Sequence, residues 1–99
     1  MIITSKTAEI AKLKGLNFND LPEQSVFQEL LFNNYNFFIN VRYIVYDSGI
    51  CNGFYYTIFL VDDTTFTVLG TYGKDLFSGF GTYEECLEFA LQHVLIRIK

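Results

Sequence analysis

The chain is poor in charge, proline and histidine, and it has no tryptophan. Charged residues occupy 18% of its 99 positions, and there is one proline and one histidine. An average soluble domain carries about 25% charged residues. No apolar run approaches the roughly 20 residues of a membrane-spanning helix, and the opening residues MIITSKTAEIAK do not resemble a signal peptide. We therefore expect a cytoplasmic protein with no membrane partner.

Basic residues are also scarce. Seven Lys and Arg stand against eleven Asp and Glu, the net charge is -4, and the basic residues are scattered. Because an acidic surface repels phosphate backbones, we expect no nucleic-acid partner. Cys51 and Cys86 occur without a secretory signal, so we expect both to be reduced.

Apolar and aromatic residues are in excess. Hydrophobic residues reach 51%, including eleven Phe and seven Tyr. This composition excludes disorder, and a chain of this length has room for one modest core. We therefore expect a single domain over residues 1 to 99.

Capping residues and apolar spacing predict three helices. The first starts at Thr4 or Ser5 and ends before Gly15, and the second covers residues 23 to 33 after the only proline. The third is capped by Thr82. The stripe that it is expected to bury comprises Cys86, Ala90, Leu91, Val94 and Ile98.

A twofold alternation predicts a first strand over residues 37 to 46. Runs of apolar and aromatic residues bounded by turn residues predict two more, over residues 53 to 61 and 66 to 72. DSGICNG and DDTT supply the turns between them. The predicted fold class is α+β, with the order ααβββα and a three-stranded antiparallel meander that has helices packed on one face. The expected core face comprises Phe37, Ile39, Val41, Tyr43 and Val45 of the first strand and Phe54, Tyr56, Ile58 and Leu60 of the second.

The opposite, outer face of this sheet has fewer polar side chains than a solvated face should have. The second strand, GFYYTIFLV, is apolar or aromatic on both sides. Because monomers seldom leave large apolar patches bare, we expect something to cover this face. The residues predicted to contact a partner there are Phe38, Ile44, Tyr46, Tyr55, Phe59, Val61 and Leu69. The alternatives for the cover are a second copy, another partner or ligand, or the chain's own first helix or GKDLFSGFG loop.

Candidate catalytic and metal-binding residues are few. His93 lies beside the stripe of the last helix without a ligand at a recognised spacing, and two helical turns separate it from Cys86. GTYGKD lacks the spacing of a phosphate loop. We expect no catalytic residue, metal or cofactor. Glu84, Glu85 and Glu88 are expected to form a solvated acidic face on the last helix, with contact to a basic partner as the alternative.

Three segments resemble a group of small uncharacterised proteins from phages, prophages and mobile elements of Bacteroides-like gut bacteria. They are TSKTAEIAKLKG, QSVFQELL and TYEECLEFAL, with Cys86 where the group usually has Ala. The resemblance implies a phage or mobile-element origin and an accessory role in the bacterial cytoplasm or in the virion. It implies no known activity.

The leading functional hypothesis is a non-enzymatic protein that acts through protein–protein contacts, as a homodimer or as a binder of a host protein. The second hypothesis is a small-ligand or nucleotide-binding module in which tyrosines such as Tyr46 and Tyr55 stack on a planar ring. The third is an enzyme built on Cys51, which requires a reactive thiol at that position.

Overall fold

The computed structural model describes residues 1–46, 52–75 and 78–98, and it has the α+β fold and the element order ααβββα that the sequence predicts. Cys51 and most of the DSGICNG turn lie outside the described residues. The elements are α1 (Ser5–Leu13), α2 (Gln24–Tyr35), β1 (Phe37–Ile44), β2 (Gly53–Val61), β3 (Phe66–Tyr72) and α3 (Tyr83–Arg97).

Local hydrogen bonds explain where the helices begin and end. Thr4 Oγ1 accepts a hydrogen bond from Thr7 N at the start of α1, and Thr82 Oγ1 accepts one from Glu85 N at the start of α3. These are the expected side-chain caps. Helix α2 runs two residues past its predicted end because Asn36, at φ 64°, adopts the left-handed conformation and terminates it there.

The three strands form one antiparallel sheet in the order β1-β2-β3. Helices α2 and α3 pack on one face of this sheet, and α1 packs against α3. The inner face contributes Ile39, Tyr56 and Ile58 to the core, each at most 6% exposed. The arrangement leaves the outer face without a helix in the part of the chain that the structure describes.

Helix α3 is the centre of the core. Its predicted stripe is confirmed, since all five residues of that stripe are buried. Leu87, Glu88 and Leu95 are buried as well. The additional burial arises because α3 contacts α1, α2 and the sheet at once, so that it is enclosed on more than one side.

The predicted core face extends beyond the helices that cover it. Tyr43 is 55% exposed, Val45 is 72% exposed and Leu60 is 40% exposed, so placing these three in the core was wrong. Val45 lies past the end of β1, and Tyr43 and Leu60 lie towards opposite ends of the β1-β2 ladder. The helices therefore cover the middle of the sheet and leave its ends open.

Candidate interaction surface

A row of phenylalanine rings crosses the outer face at one end of the sheet. The antiparallel register makes Phe38 and Phe59 direct neighbours, with ring centroids 6.0 Å apart. Phe66 continues the row on β3, at 6.2 Å from Phe59, and Phe32 of α2 extends it past β1, at 6.0 Å from Phe38. We call these four residues the phenylalanine row.

The phenylalanine row remains accessible to solvent. Phe32 is 38% exposed, Phe38 is 41% exposed and Phe66 is 69% exposed. Val68, the cross-strand neighbour of Phe59, is 59% exposed. Since a Phe side chain has about 200 Å² to bury, the three exposed rings leave about 300 Å² of apolar surface open to water.

A β-bulge determines which side chains of β3 join this surface. Gly70 pairs with Ile58 and Val68 pairs with Phe59, so Leu69 is an extra residue without a partner in the ladder. The extra residue inverts the alternation of the strand. Leu69 therefore packs against the core. Placing Leu69 on the outer face was wrong, and Phe66 and Val68 occupy that face instead.

The chain's own loop covers the other end of the outer face. A Cβ atom on Gly73 would lie 2.5 Å from Tyr55 Cε1, and one on Gly79 would lie 2.8 Å from Tyr55 Cε2. The absence of side chains at both glycines therefore lets the loop backbone close on the ring of Tyr55, which is only 9% exposed. The expectation that Tyr55 meets a separate partner was wrong, because this loop is what it touches.

Backbone pairing holds this loop in place. Phe54 N donates to Phe80 O at 2.9 Å, and Phe80 N donates to Phe54 O at 2.8 Å. Gly53 permits this close approach, since a Cβ on it would lie 2.7 Å from Gly79 Cα. Leu76 and Phe77 of the loop lie outside the described residues.

The other predicted contact residues divide between the two ends. Val61 pairs with Phe66 and lies partly buried beside the phenylalanine row. Ile44, partly buried, pairs with Gly53 at the opposite end. Tyr46 lies there too, 43% exposed, with its ring 6.1 Å from that of Tyr55. The structure therefore brings together Phe38, Phe59 and Val61 at one end and Ile44, Tyr46 and Tyr55 at the other.

A polar strip separates these two ends. Thr57 and Thr71 are cross-strand neighbours on the outer face, with their hydroxyl oxygens 2.8 Å apart, and Asn40 pairs with Thr57 from β1. Thr57 is the one polar residue within GFYYTIFLV, and the register places it at the centre of this strip. The outer face is consequently two apolar areas and not one continuous patch.

Glu88 is a buried carboxylate rather than part of a solvated acidic face, and that expectation was wrong. Glu88 is 5% exposed. Its Oε2 accepts hydrogen bonds from Thr4 N and Thr4 Oγ1, each at 2.8 Å, and from Thr7 Oγ1, and its Oε1 accepts one from Gln24 Nε2 at 2.9 Å. Burial raises the pKa of this carboxyl, but the hydrogen bonds outweigh burial and hold the pKa below its ordinary value. The carboxylate thus joins the first turns of α1 and α2 to α3.

The titratable side chains of Tyr56, Tyr72 and His93 pack against one another in and beside the core. Tyr56 Oη lies 2.9 Å from His93 Nδ1, and the ring of His93 lies 4.6 Å from that of Tyr72. Burial raises the pKa of Tyr56 to about 12 and, together with Arg97, lowers the pKa of His93. These contacts agree with the partly exposed structural role expected for His93.

Cys86 is a free, buried thiol. Burial, with a smaller effect of Glu85, raises its pKa to about 12, which opposes formation of a thiolate. The hypothesis of an enzyme built on Cys51 concerns a position outside the described residues. Among residues 1–46, 52–75 and 78–98, no group of three or more His, Cys, Asp or Glu is placed to hold a metal ion.

The fold and this surface define an α+β domain whose outer sheet face is covered by its own loop at one end and exposed at the other. Comparison with models of known families, with curated proteins and with solved structures found no match to the chain. The resemblance to phage and mobile-element proteins therefore stays a prediction. Within the described segments, no helix has both the length and the hydrophobicity for a membrane crossing.

Proposed function

We propose that this protein is a non-catalytic protein-interaction module of phage or mobile-element origin that binds through the bare end of its outer sheet face. The observation that carries the proposal is the exposure of the phenylalanine row together with Val68. The partner is a second copy of the chain or a host protein, for which inhibition of a defence system is one concrete form.

The exposed area is large enough to anchor a complex. Burying about 300 Å² of apolar surface at about 25 cal/mol per Å² contributes about 7.5 kcal/mol before the costs of association. Those costs are about 4 to 15 kcal/mol. The phenylalanine row therefore acts as the apolar centre of an interface, and polar contacts around it supply the remainder.

The local chemistry supports binding rather than catalysis. Cys86 has a pKa raised to about 12, the imidazole of His93 contacts Tyr56, and the carboxylate of Glu88 accepts hydrogen bonds from its neighbours. Each of these groups is occupied in holding the core together. Catalysis commonly needs a polarised nucleophile or base that faces a cleft.

The test compares two double variants in pull-down from bacterial lysate and in light scattering. Phe38→Ser with Phe66→Ser removes two exposed rings of the row, and we expect loss of self-association or loss of the retained partner. Leu13→Ser with Val26→Ser is the matched control, because these side chains are 84% and 54% exposed on the helices. If both double variants retain every contact that the wild type makes, the proposal is wrong. The genes beside the coding sequence test its origin.

A second candidate is the binding of a small planar ligand. Tyr46, Tyr55 and Tyr72 line a surface depression of about 640 Å³ together with Thr71, Gly73 and Asp75. Aromatic walls of this kind stack on planar rings. A thermal shift with a nucleotide or cyclic dinucleotide, abolished by Tyr46→Ala, would support this candidate, and a panel without any shift would remove it.

A further inference from the structure

The two edges of the sheet differ in how far they are covered: the edge at β1 is partly covered, and the edge at β3 is open. Helix α2 lies beside β1, and Gln28 Nε2 donates a hydrogen bond to Ile39 O at 2.8 Å. This helix therefore partly blocks the unpaired edge of β1. No strand lies on the far side of β3 within the described residues. The segment Phe66–Tyr72 also contains no charged residue and no proline. Natural sheets commonly protect their edges with such residues or with β-bulges. The bulge at Leu69 comes after Val68, so the segment from Phe66 to Val68 precedes it.

Two apolar side chains of this edge are accessible to solvent. Phe66 is 69% exposed and Val68 is 59% exposed, and the alternation before the bulge places both on the outer face. Thr67 lies between them and is exposed as well. An antiparallel copy of β3 with its two-fold axis at Thr67 would set Phe66 of each chain beside Val68 of the other.

The charges at the two ends of β3 distinguish antiparallel from parallel pairing of two copies. The exposed Asp62 and Asp63 precede the strand, and it is followed by Lys74, whose side chain is 62% exposed, and by the exposed Asp75. Lys74 Nζ lies 4.0 Å from Glu85 Oε1, a distance at the limit of an ion pair at the surface. Antiparallel pairing brings the acidic turn of each copy towards Lys74 of the other. Parallel pairing would set like charges together.

We propose that β3 pairs antiparallel with β3 of a second copy, which makes a six-stranded sheet and joins the two phenylalanine rows at Phe66. This inference rests on the proposed function and names the partner at that surface. The joined rows form one apolar strip across both copies, with Phe66 and Val68 at its centre. A dimer of ordinary size buries about 800 Å² on each partner, and edge pairing together with the strip supplies contacts of both kinds.

The first test measures mass by sedimentation or light scattering from low to high micromolar concentration. The wild type is expected at twice the chain mass of 11.5 kDa, and Val68→Lys is expected at the single mass, because a charge at the centre of the edge opposes pairing. Val26→Lys is the matched control, since Val26 is 54% exposed on α2, and it should remain a dimer.

The second test traps the symmetry itself. Residues directly opposite in a non-hydrogen-bonded antiparallel pair have Cα atoms about 4.5 Å apart, within the range of a disulfide. In a Cys51→Ser background, Thr67→Cys should form a disulfide-linked dimer under mild oxidation. Thr71→Cys, an exposed position four residues along the same strand, should link much more slowly.

The outcomes separate this inference from the proposed function. A wild type that stays monomeric at every concentration, or a dimer that Val68→Lys leaves intact, overturns the edge pairing. If Phe38→Ser dissociates a dimer that survives Val68→Lys, the copies meet through the outer face, and only the proposed function stands. The proposed function also stands alone if a monomer retains a host protein through Phe38 and Phe66, whereas a monomer without such a partner overturns both.

Discussion

The replacement Glu88→Gln tests the most unusual feature of the core. The carboxylate accepts four hydrogen bonds, three of them at Oε2 from Thr4 and Thr7 and one at Oε1 from Gln24 Nε2. A glutamine side chain has nearly the same shape but replaces one acceptor oxygen by an NH₂ donor. The perturbation therefore removes the charge and one acceptor while it leaves the packing volume unchanged.

The structure sets the size of the effect. If the amide nitrogen occupies the position of Oε2, the two threonine hydroxyls can rotate to accept from it, but Thr4 N is a donor and cannot. If the amide is turned the other way, it meets Gln24 Nε2, which is held by its second hydrogen bond to Glu84 O at 2.9 Å. One buried donor loses its acceptor in either orientation. That loss costs about 1–3 kcal/mol, and the weaker neutral hydrogen bonds add to it.

We therefore expect Glu88→Gln to lower the free energy of unfolding by about 2–3 kcal/mol, which in a domain of this size lowers Tm by about 10 to 20 °C. The assay is thermal and urea denaturation followed by circular dichroism at neutral pH. Glu84→Gln is the control on the same helix, because Glu84 is exposed and its loss should cost at most about 1 kcal/mol through the helix dipole.

The pH dependence has a definite sign. The pKa of Glu88 is lower in the folded protein than its ordinary value of 4.5, so the unfolded chain takes up the proton first as pH falls. The stabilisation is complete above pH 4.5 and is lost as pH falls through the folded-state pKa. The gap between wild type and Glu88→Gln should narrow in that range. A gap that widens in acid, or equal effects of Glu88→Gln and Glu84→Gln at neutral pH, would refute the reasoning.

Two further predictions concern the outer face. Gly79→Ala places a Cβ 2.7 Å from the backbone of β2, so we expect the free energy of unfolding to fall by about 2 kcal/mol or more. The Cβ of Gly81→Ala meets no atom within 4 Å. In the same denaturation assay this control should change stability by less than about 0.5 kcal/mol. At a protein concentration low enough to keep the chain monomeric, Leu69→Ser should destabilise by about 2–3 kcal/mol because Leu69 packs against the core. Under the same conditions Val68→Ser should change stability little because Val68 is exposed. Equal costs at positions 68 and 69 would contradict the bulge.

The half-covered sheet links these predictions to function. The loop that closes over Tyr55 shields one apolar area of the outer face from solvent, while the phenylalanine row at the other end stays accessible. A loop that covered both ends would leave a monomer with little exposed apolar surface to bury in a complex. The bare end is therefore the informative part of the surface, and it is there that the proposed contacts are placed.

The sequence by itself determined the elements and their order. Thr4 and Thr82 cap helices because a hydroxyl at that position satisfies a backbone N–H within three residues. The alternation over residues 37 to 44 and the apolar and aromatic run over residues 53 to 61 are properties of neighbouring positions. The buried stripe of α3 follows from its helical period. Each of these signals is local, so the chain carries it before any tertiary contact forms.

Tertiary structure decided which apolar side chains are covered. The bulge that turns Leu69 inward depends on how β3 pairs with β2, and the closure over Tyr55 depends on glycines 18 and 24 residues further along. Glu88 carries the same residue type as the exposed Glu84 one turn earlier, yet it is buried because Thr4, Thr7 and Gln24 converge on it from two other helices. Residue type and period describe what a side chain prefers, but its environment is set by segments distant in the sequence, and only their packing shows whether a face of the sheet is covered or bare.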